Sequence, residues 1–188
     1  MTSPQDIRKV IQSEFRLYEE AFAQSLQTDN RFLAEVLDYI HSKRGKQLRP
    51  IMVLLSAALC RGVTDKTLQT AVALELMHTA SLIHDDVVDN SPMRRGSESV
   101  HAQWTNKIAV LVGDYLLSVA LQLAAKTQNT EVVGVVAQLG QTLADGELLQ
   151  LANSIMHDFY ANKVELKAGV KEFLAYCKAS GVKMCIAS

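Results

Sequence analysis

Helix breakers are scarce in this sequence: there are three prolines and nine glycines in 188 residues, against 48% hydrophobic residues. That balance fits a packed helical protein, and the length suffices for one domain with a real core. Cysteines number three, Cys60, Cys177 and Cys185, an odd count with no metal-ligand spacing. They read as reduced core thiols in a cytoplasmic protein, not as a disulfide framework. A basic surplus is lacking too: the net charge is -1, so nothing points to nucleic acid. No uninterrupted apolar run is long enough to span a bilayer, so no transmembrane segment is expected. The N-terminus, MTSPQDIRKV, holds no hydrophobic signal segment. Neither repeats nor low-complexity segments occur.

What is present is concentrated in Glu75 to Gly96, ELMHTASLIHDDVVDNSPMRRG. Leu74, Met77, Leu82 and Val88 give a helical apolar pattern. Cut into it is a polar stripe, Glu75, His78, Asp85 and Asp89, whose offsets of three, four and seven share roughly one helix face. Asp85 and Asp89 stand one turn apart, about 5–6 Å between Cβ atoms. With Asp86 beside them they repel, and a hard divalent cation removes that cost; Mg²⁺ takes one or two carboxylates together with phosphate oxygens. Asn90-Ser91-Pro92 ends the helix. Arg94 and Arg95 follow, and guanidinium forks suit phosphate. The alternative is a helix end carrying a surface ion-pair cluster, but the whole stretch favours an anion held between metal and arginine.

Residues 4–40 read as two amphipathic helices, with Asp29 or Asn30 capping the second. The run 43–50, KRGKQLRP, places four basic residues within seven positions. It is either a solvated basic loop or an anion cradle, with Lys46 and Arg49 beside a helix N-terminus whose free N–H groups favour phosphate. Helix 51–61 is apolar almost all round, which predicts a central place in the bundle. Thr64 or Asp65 caps the aspartate helix. A lone histidine such as His78 is more often a hydrogen-bonded core residue than a ligand; its place on the aspartate face favours a site role. His84, off the stripe, reads as structural. Helices follow over 107–126 and 129–152. Gly113 in GDYLL permits close helix approach, Asp114 there needs a partner, and Trp104 reads as a packing anchor.

HDDVVDNSPMRRG resembles the first aspartate-rich motif of the trans-prenyl diphosphate synthases, the polyprenyl synthase family, and the likeness runs from near the start of the chain to about Asn153. KRGKQLRP is similar to that family's GKxxRP motif. The resemblance implies an all-α fold, an antiparallel helical bundle of the isoprenoid synthase type, with 1–153 as the N-terminal part of the helical domain. It implies a prenyltransferase that condenses isopentenyl diphosphate with an allylic diphosphate. Mg²⁺ would sit on Asp85, Asp86 and Asp89, with Asp85, Asp89 and Arg94 serving departure of the allylic diphosphate. Lys46, Arg49, His78 and Arg95 would fix isopentenyl diphosphate. Ala80 and Ser81 lie five and four residues before Asp85. In the family a bulky aromatic there closes the tunnel for the growing chain, so small residues imply a medium or long product; ordinary close helix packing explains them equally. Family members commonly dimerise through helices, and the apolar 107–124 helix is a candidate homodimer interface.

After Ser154 the expected continuation, a second aspartate-rich motif, is not found, so turnover by this chain alone is expected to be weak or absent. The tail, 154–188, reads as a helix over Val170–Ala179, a turn at Gly181 and a strand candidate over 182–187, an αβ-like end to an incomplete bundle. It resembles an internal piece of a haloacid dehalogenase-type phosphatase; two more bundle helices are the plainer reading. Two other functions stand beside the synthase: a non-catalytic diphosphate-binding or dimerising helical subunit, and a terpene cyclase, which also uses DDxxD but needs no second diphosphate pocket of the KRGKQLRP kind.

Overall fold

The structure, a computed structural model, describes residues 8–60, 62–158, 175, 176, 178 and 179. The helix and strand candidates of the tail fall almost wholly outside these, as do Cys177 and Cys185. Packing divides the chain into two units, Met1–Ala144 and Asp145–Ser188. The boundary expected from motif resemblance, 153, lies further along the chain than this division.

Among its described residues the first unit consists of helices, their connections and one small hairpin. Helix α1, Gln12–Ser25, buries Phe15, Tyr18 and Phe22. Their three- and four-residue spacing stacks them on one face, with ring centroids 5.4 Å and 5.9 Å apart along the row. Helix α2, Arg31–Ser42, starts where the Asn30 side chain accepts from the Leu33 N–H, and it buries Val36, Leu37 and Ile40. Helix α3, Leu48–Cys60, buries only Pro50, Ile51 and Leu54. Its all-round apolar composition predicted a central position; instead Met52 is 66% and Leu59 86% exposed, and Cys60 is an exposed free thiol, not a core one.

The centre belongs to α4, Asp65–Val88, opened by a capping box in which the Thr64 and Thr67 side chains satisfy each other's backbone N–H. It is buried on several sides, at Ala71, Val72, Ala73, Leu76, Met77, Ala80 and Ile83, and it packs most extensively on α6, Asn106–Lys126. Small residues on both helices, Ala73 and Ala80 on one and Ala109, Gly113, Ala120 and Ala124 on the other, are buried. At Gly113 the approach is closest: a Cβ there would overlap the His84 imidazole, whose Nε2 lies 3.2 Å from the Val110 carbonyl and 3.5 Å from Asp114. His84 is structural, as expected, and Asp114 has its partner. By length and composition α6 is apolar enough to cross a membrane although no uninterrupted apolar run is; it packs partly into the core.

Between α4 and α6 lie the strands β1, Met93–Arg94, and β2, Ser97–Glu98, paired antiparallel with Met93 opposite Glu98, then the short α5, Val100–Gln103. Arg95 and Gly96 form the turn at φ of 51° and 79°, the doubly left-handed pattern of a tight hairpin that matches strand twist. Helix α7, Thr130–Asp158, packs Val132, Val133, Val136, Leu139 and Leu143 against the core of the first unit. From Asp145 the same helix carries exposed Leu148, Leu149, Leu151, Ile155 and Met156.

Candidate functional site

A cleft opens between the end of α2, the loop after it, one face of α4 and the hairpin. From α4 it takes Glu75, His78, Thr79, Leu82, Ile83 and Asp86. At about 3.6 residues per turn a row through Glu75 returns near Asp86 after three turns, while Asp85 falls well to one side of it. The polar stripe inferred from spacing is therefore shifted: Asp86 faces the cleft, while Asp85 is half-buried beside it and Asp89 is the exposed C-cap.

Asp86 is 4% exposed. Arg94 holds it with Nε at 2.7 Å and 2.8 Å from the two carboxylate oxygens and Nη2 at 2.6 Å. The bond to Asp86, above all, raises the Arg94 pKa further beyond its usual range. Of the three aspartates read as metal ligands, Asp86 thus has both oxygens engaged by a guanidinium. Among the described residues no group of three or more His, Cys, Asp or Glu side chains could by itself hold a metal ion. Asp85 and Asp89 nevertheless fit a cation that takes its other ligands from water and phosphate. They stand one turn apart, with the Asp89 N–H bonded to the Asp85 carbonyl at 2.8 Å, at a helix C-terminus whose last turn has no basic residue. The negative end of the helix dipole favours positive charge there.

The opposite wall comes from the basic run. Lys43, Arg44 and Gly45 line the cleft; Lys46 and Arg49, the residues singled out in the sequence, are exposed and do not. Arg49 still acts on the site electrostatically, through Glu75 and His78. Gln47, 6% exposed, holds the loop in a left-handed conformation at φ 53°, a strain of about 1–3 kcal/mol. Arg8 pins it by donating to its side-chain oxygen at 2.8 Å. The hairpin reaches across, so that a Cβ on Gly45 would overlap the Arg95 guanidinium. Tyr39 donates to the Glu98 carbonyl at 2.7 Å and meets Trp104 edge-on at 5.2 Å, which braces hairpin against α2 and makes Trp104 the packing anchor expected.

Burial first, then the Arg49, Arg95 and Arg94 guanidiniums, push the His78 pKa down to about 4, so His78 is neutral near pH 7. Burial pushes Glu75 up, opposed by Arg49, Arg44 and Arg95. Ser81 donates to the His78 carbonyl at 2.9 Å, and Ala80 is fully buried in the core; neither lines the cleft. The structure thus brings His78, Asp86, Arg94 and Arg95 together, sets Asp85 and Asp89 at the helix end beside them, and leaves Lys46 and Arg49 at the periphery. Within the basic run nothing in the sequence distinguishes Lys43 and Arg44, because linear spacing does not say which side of a loop turns inward. The arrangement suits a polyanion whose charge is shared between basic side chains and a metal.

Comparison with known proteins agrees. The family model described as polyprenyl synthetase matches residues 30–186, which extends past Asn153. The octaprenyl diphosphate synthase of Haemophilus influenzae is 33% identical over 153 residues, 81% of this chain and 46% of that protein. Heptaprenyl diphosphate synthase component 2 of Geobacillus stearothermophilus is 34% identical over 140 residues, 74% of this chain and 44% of that protein. Among solved structures, the polyprenyl synthase of Caulobacter crescentus CB15, complexed with calcium and isoprenyl diphosphate, superposes with a TM-score of 0.76 at 31% identity, covering 80% of this chain and 46% of that one. The chain spans less than half the length of these relatives.

Proposed function

Because this chain belongs to the polyprenyl synthetase family, we propose that its cleft seats prenyl diphosphates for the condensation of isopentenyl diphosphate with an allylic diphosphate. The observation that carries the reading is the placement of His78, Arg94 and Arg95 in one cleft beside the Asp85–Asp89 turn. The allylic C–O bond breaks, the isopentenyl double bond attacks the resulting cation, and a proton is lost, with the released diphosphate free to accept it. Asp85 and Asp89 would hold Mg²⁺, whose charge would stabilise the departing diphosphate. Asp86 holds Arg94 rigidly toward that anion. Arg95 and neutral His78 orient isopentenyl diphosphate, with Lys46 and Arg49 adding field from the rim. Thr79, Leu82 and Ile83 provide partly apolar lining that limits water near the cation. The names of the octaprenyl and heptaprenyl relatives support a medium- or long-chain product, whereas Ala80 and Ser81 lie outside the cleft lining. Homodimerisation through α6, which exposes Val110, Leu111 and Leu121, and a cytoplasmic location complete the proposal.

One aspartate-rich motif occurs in the 188 residues, so turnover by this chain alone is expected to be weak. A second reading, a diphosphate-binding subunit that works with another chain, draws on the relative named as component 2. Incorporation of radiolabelled isopentenyl diphosphate with Mg²⁺ separates them. Product lost on Asp85→Ala and on EDTA treatment supports the synthase; binding without product supports the subunit; neither binding nor product ends both. Product formed at a full synthase rate would contradict the expectation of weak turnover.

A further inference from the structure

Arg44 is half-buried in the cleft wall. Its Nε donates to the His41 carbonyl at 3.2 Å, and its guanidinium carbon sits 4.6 Å from the centre of the Phe22 ring. Three further atoms of this region, Arg44 Nη1, Glu75 Oε2 and the Tyr18 hydroxyl, are buried without a partner at full hydrogen-bond geometry, while the Tyr18 hydroxyl is near enough to the Arg44 guanidinium for a hydrogen bond between them to help lower the Tyr18 pKa. One is a donor, one an acceptor and one both. Burial, then Glu75, raises the Tyr18 pKa, and Arg44 opposes this, so the three groups lie within electrostatic reach of one another. Leaving a buried polar group unpaired costs about 1–3 kcal/mol, and the Arg44 guanidinium, which lines the cleft, is the member of the set that an incoming anion can satisfy.

The charge balance points the same way. Of the guanidiniums lining the cleft, Arg94 is committed to Asp86, whereas Arg44 and Arg95 both act, with Arg49, on the buried carboxyl of Glu75. An incoming anion relieves that excess.

We propose that Arg44 is an anion ligand of the cleft, taking a phosphate oxygen of a diphosphate ester, and that Tyr18 and Glu75 are its positioning residues. This rests on the diphosphate-binding reading above. Phe22 fixes the plane of the guanidinium, His41 and the buried hydroxyl–carboxylate pair fix its inner edge, and the remaining edge is presented to the ligand as a fork.

Calorimetric titration with magnesium pyrophosphate tests this on the whole chain, with thermal denaturation as the folding control. Arg44→Gln is expected to weaken binding about tenfold, the equivalent of one charged hydrogen bond, and Arg44→Lys, which keeps charge without the fork, by a smaller factor. Tyr18→Phe keeps the ring and its packing; it is expected to weaken binding about threefold in the wild-type background, a share of one such bond, and not at all in the Arg44→Gln background, the coupling that a purely structural role would not give. Arg44→Gln and Arg44→Lys both within twofold of wild type, while Arg49→Gln or Arg95→Gln weakens binding, would overturn the assignment of Arg44 and leave the diphosphate-binding reading intact. Absence of binding in the wild type would overturn both. Equal effects of Tyr18→Phe in the two backgrounds would remove Tyr18 from the proposal.

Discussion

The loop at 43–47 and the hairpin at 93–98 deliver basic side chains to the same cleft, yet they are held by different means. The hairpin is self-contained. Its turn is fixed by two left-handed residues, and its arginine by an acid on the helix just before it, eight positions away. The loop takes its shape from distant chain. Arg8 pins Gln47, Phe22 carries Arg44, and Tyr18 sits beneath. Helix α1 lines no part of the cleft and still shapes one wall of it. Damage to α1 should therefore spread to the loop and spare the hairpin, while damage to Asp86 should do the reverse.

The largest effect is expected from Phe22→Ala. Phe22 is 1% exposed, so the loss should be on the order of 4 kcal/mol in denaturant unfolding, with the loop's contribution to diphosphate binding lost as well. Asp86→Ala comes next. It leaves Arg94 without its counter-charge at a cost of about 3 kcal/mol, toward the low end for a buried pair because the Arg94 side chain is 36% exposed. Asp86→Asn should recover part of the stability but little of the product formation. Gly96→Ala should cost about 1 kcal/mol, since a Cβ there meets nothing and only the φ of 79° is strained. Gly45→Ala should leave the unfolding midpoint nearly unchanged, because the overlapping group is the flexible tip of Arg95. Isopentenyl diphosphate binding should weaken several-fold all the same, as Arg95 is displaced.

A further effect is on pH dependence. His78 has its folded pKa lowered to about 4, below the ordinary value near 6.5, so between these the unfolded chain binds more protons. Stability from this group is complete above about pH 6.5 and is lost as pH falls toward 4. His78→Gln should flatten the stability profile over that window and leave it unaltered above it.

Much of this was readable in the sequence, and what was not has physical reasons. Caps at Asn30 and Thr64 are local chemistry and appear where expected. HDDVVDNSPMRRG carries both family and site, because its residues are close enough in sequence to act together. The i,i+4 aspartate pair was visible, but its phase relative to the cleft was not. That depends on which side of α4 faces α2, a tertiary fact, and it made Asp86 a strut for Arg94. Helix α3 was misplaced for a similar reason: an apolar sequence says that a helix can be buried, not that a neighbour covers it. The hairpin has two residues per strand, too few to show a period of two. Arg95-Gly96 was its only turn signal, and the arginines had already been given another explanation. The hold of the N-terminal region on the loop joins residues 39 positions apart, Arg8 and Gln47, beyond the reach of any local pattern.

The central claim is that the Asp85–Asp89 turn and the basic cleft act on one ligand. Equilibrium dialysis of a labelled, unreactive thio analogue of an allylic diphosphate, with and without Mg²⁺, addresses it directly. The account predicts that Mg²⁺ strengthens binding in the wild type by roughly tenfold or more, a coupling of about 1.4 kcal/mol, that this gain disappears in Asp85→Ala/Asp89→Ala, and that Arg94→Gln weakens binding in both conditions. Binding that is indifferent to Mg²⁺, or unchanged by loss of the cleft arginine, would contradict it.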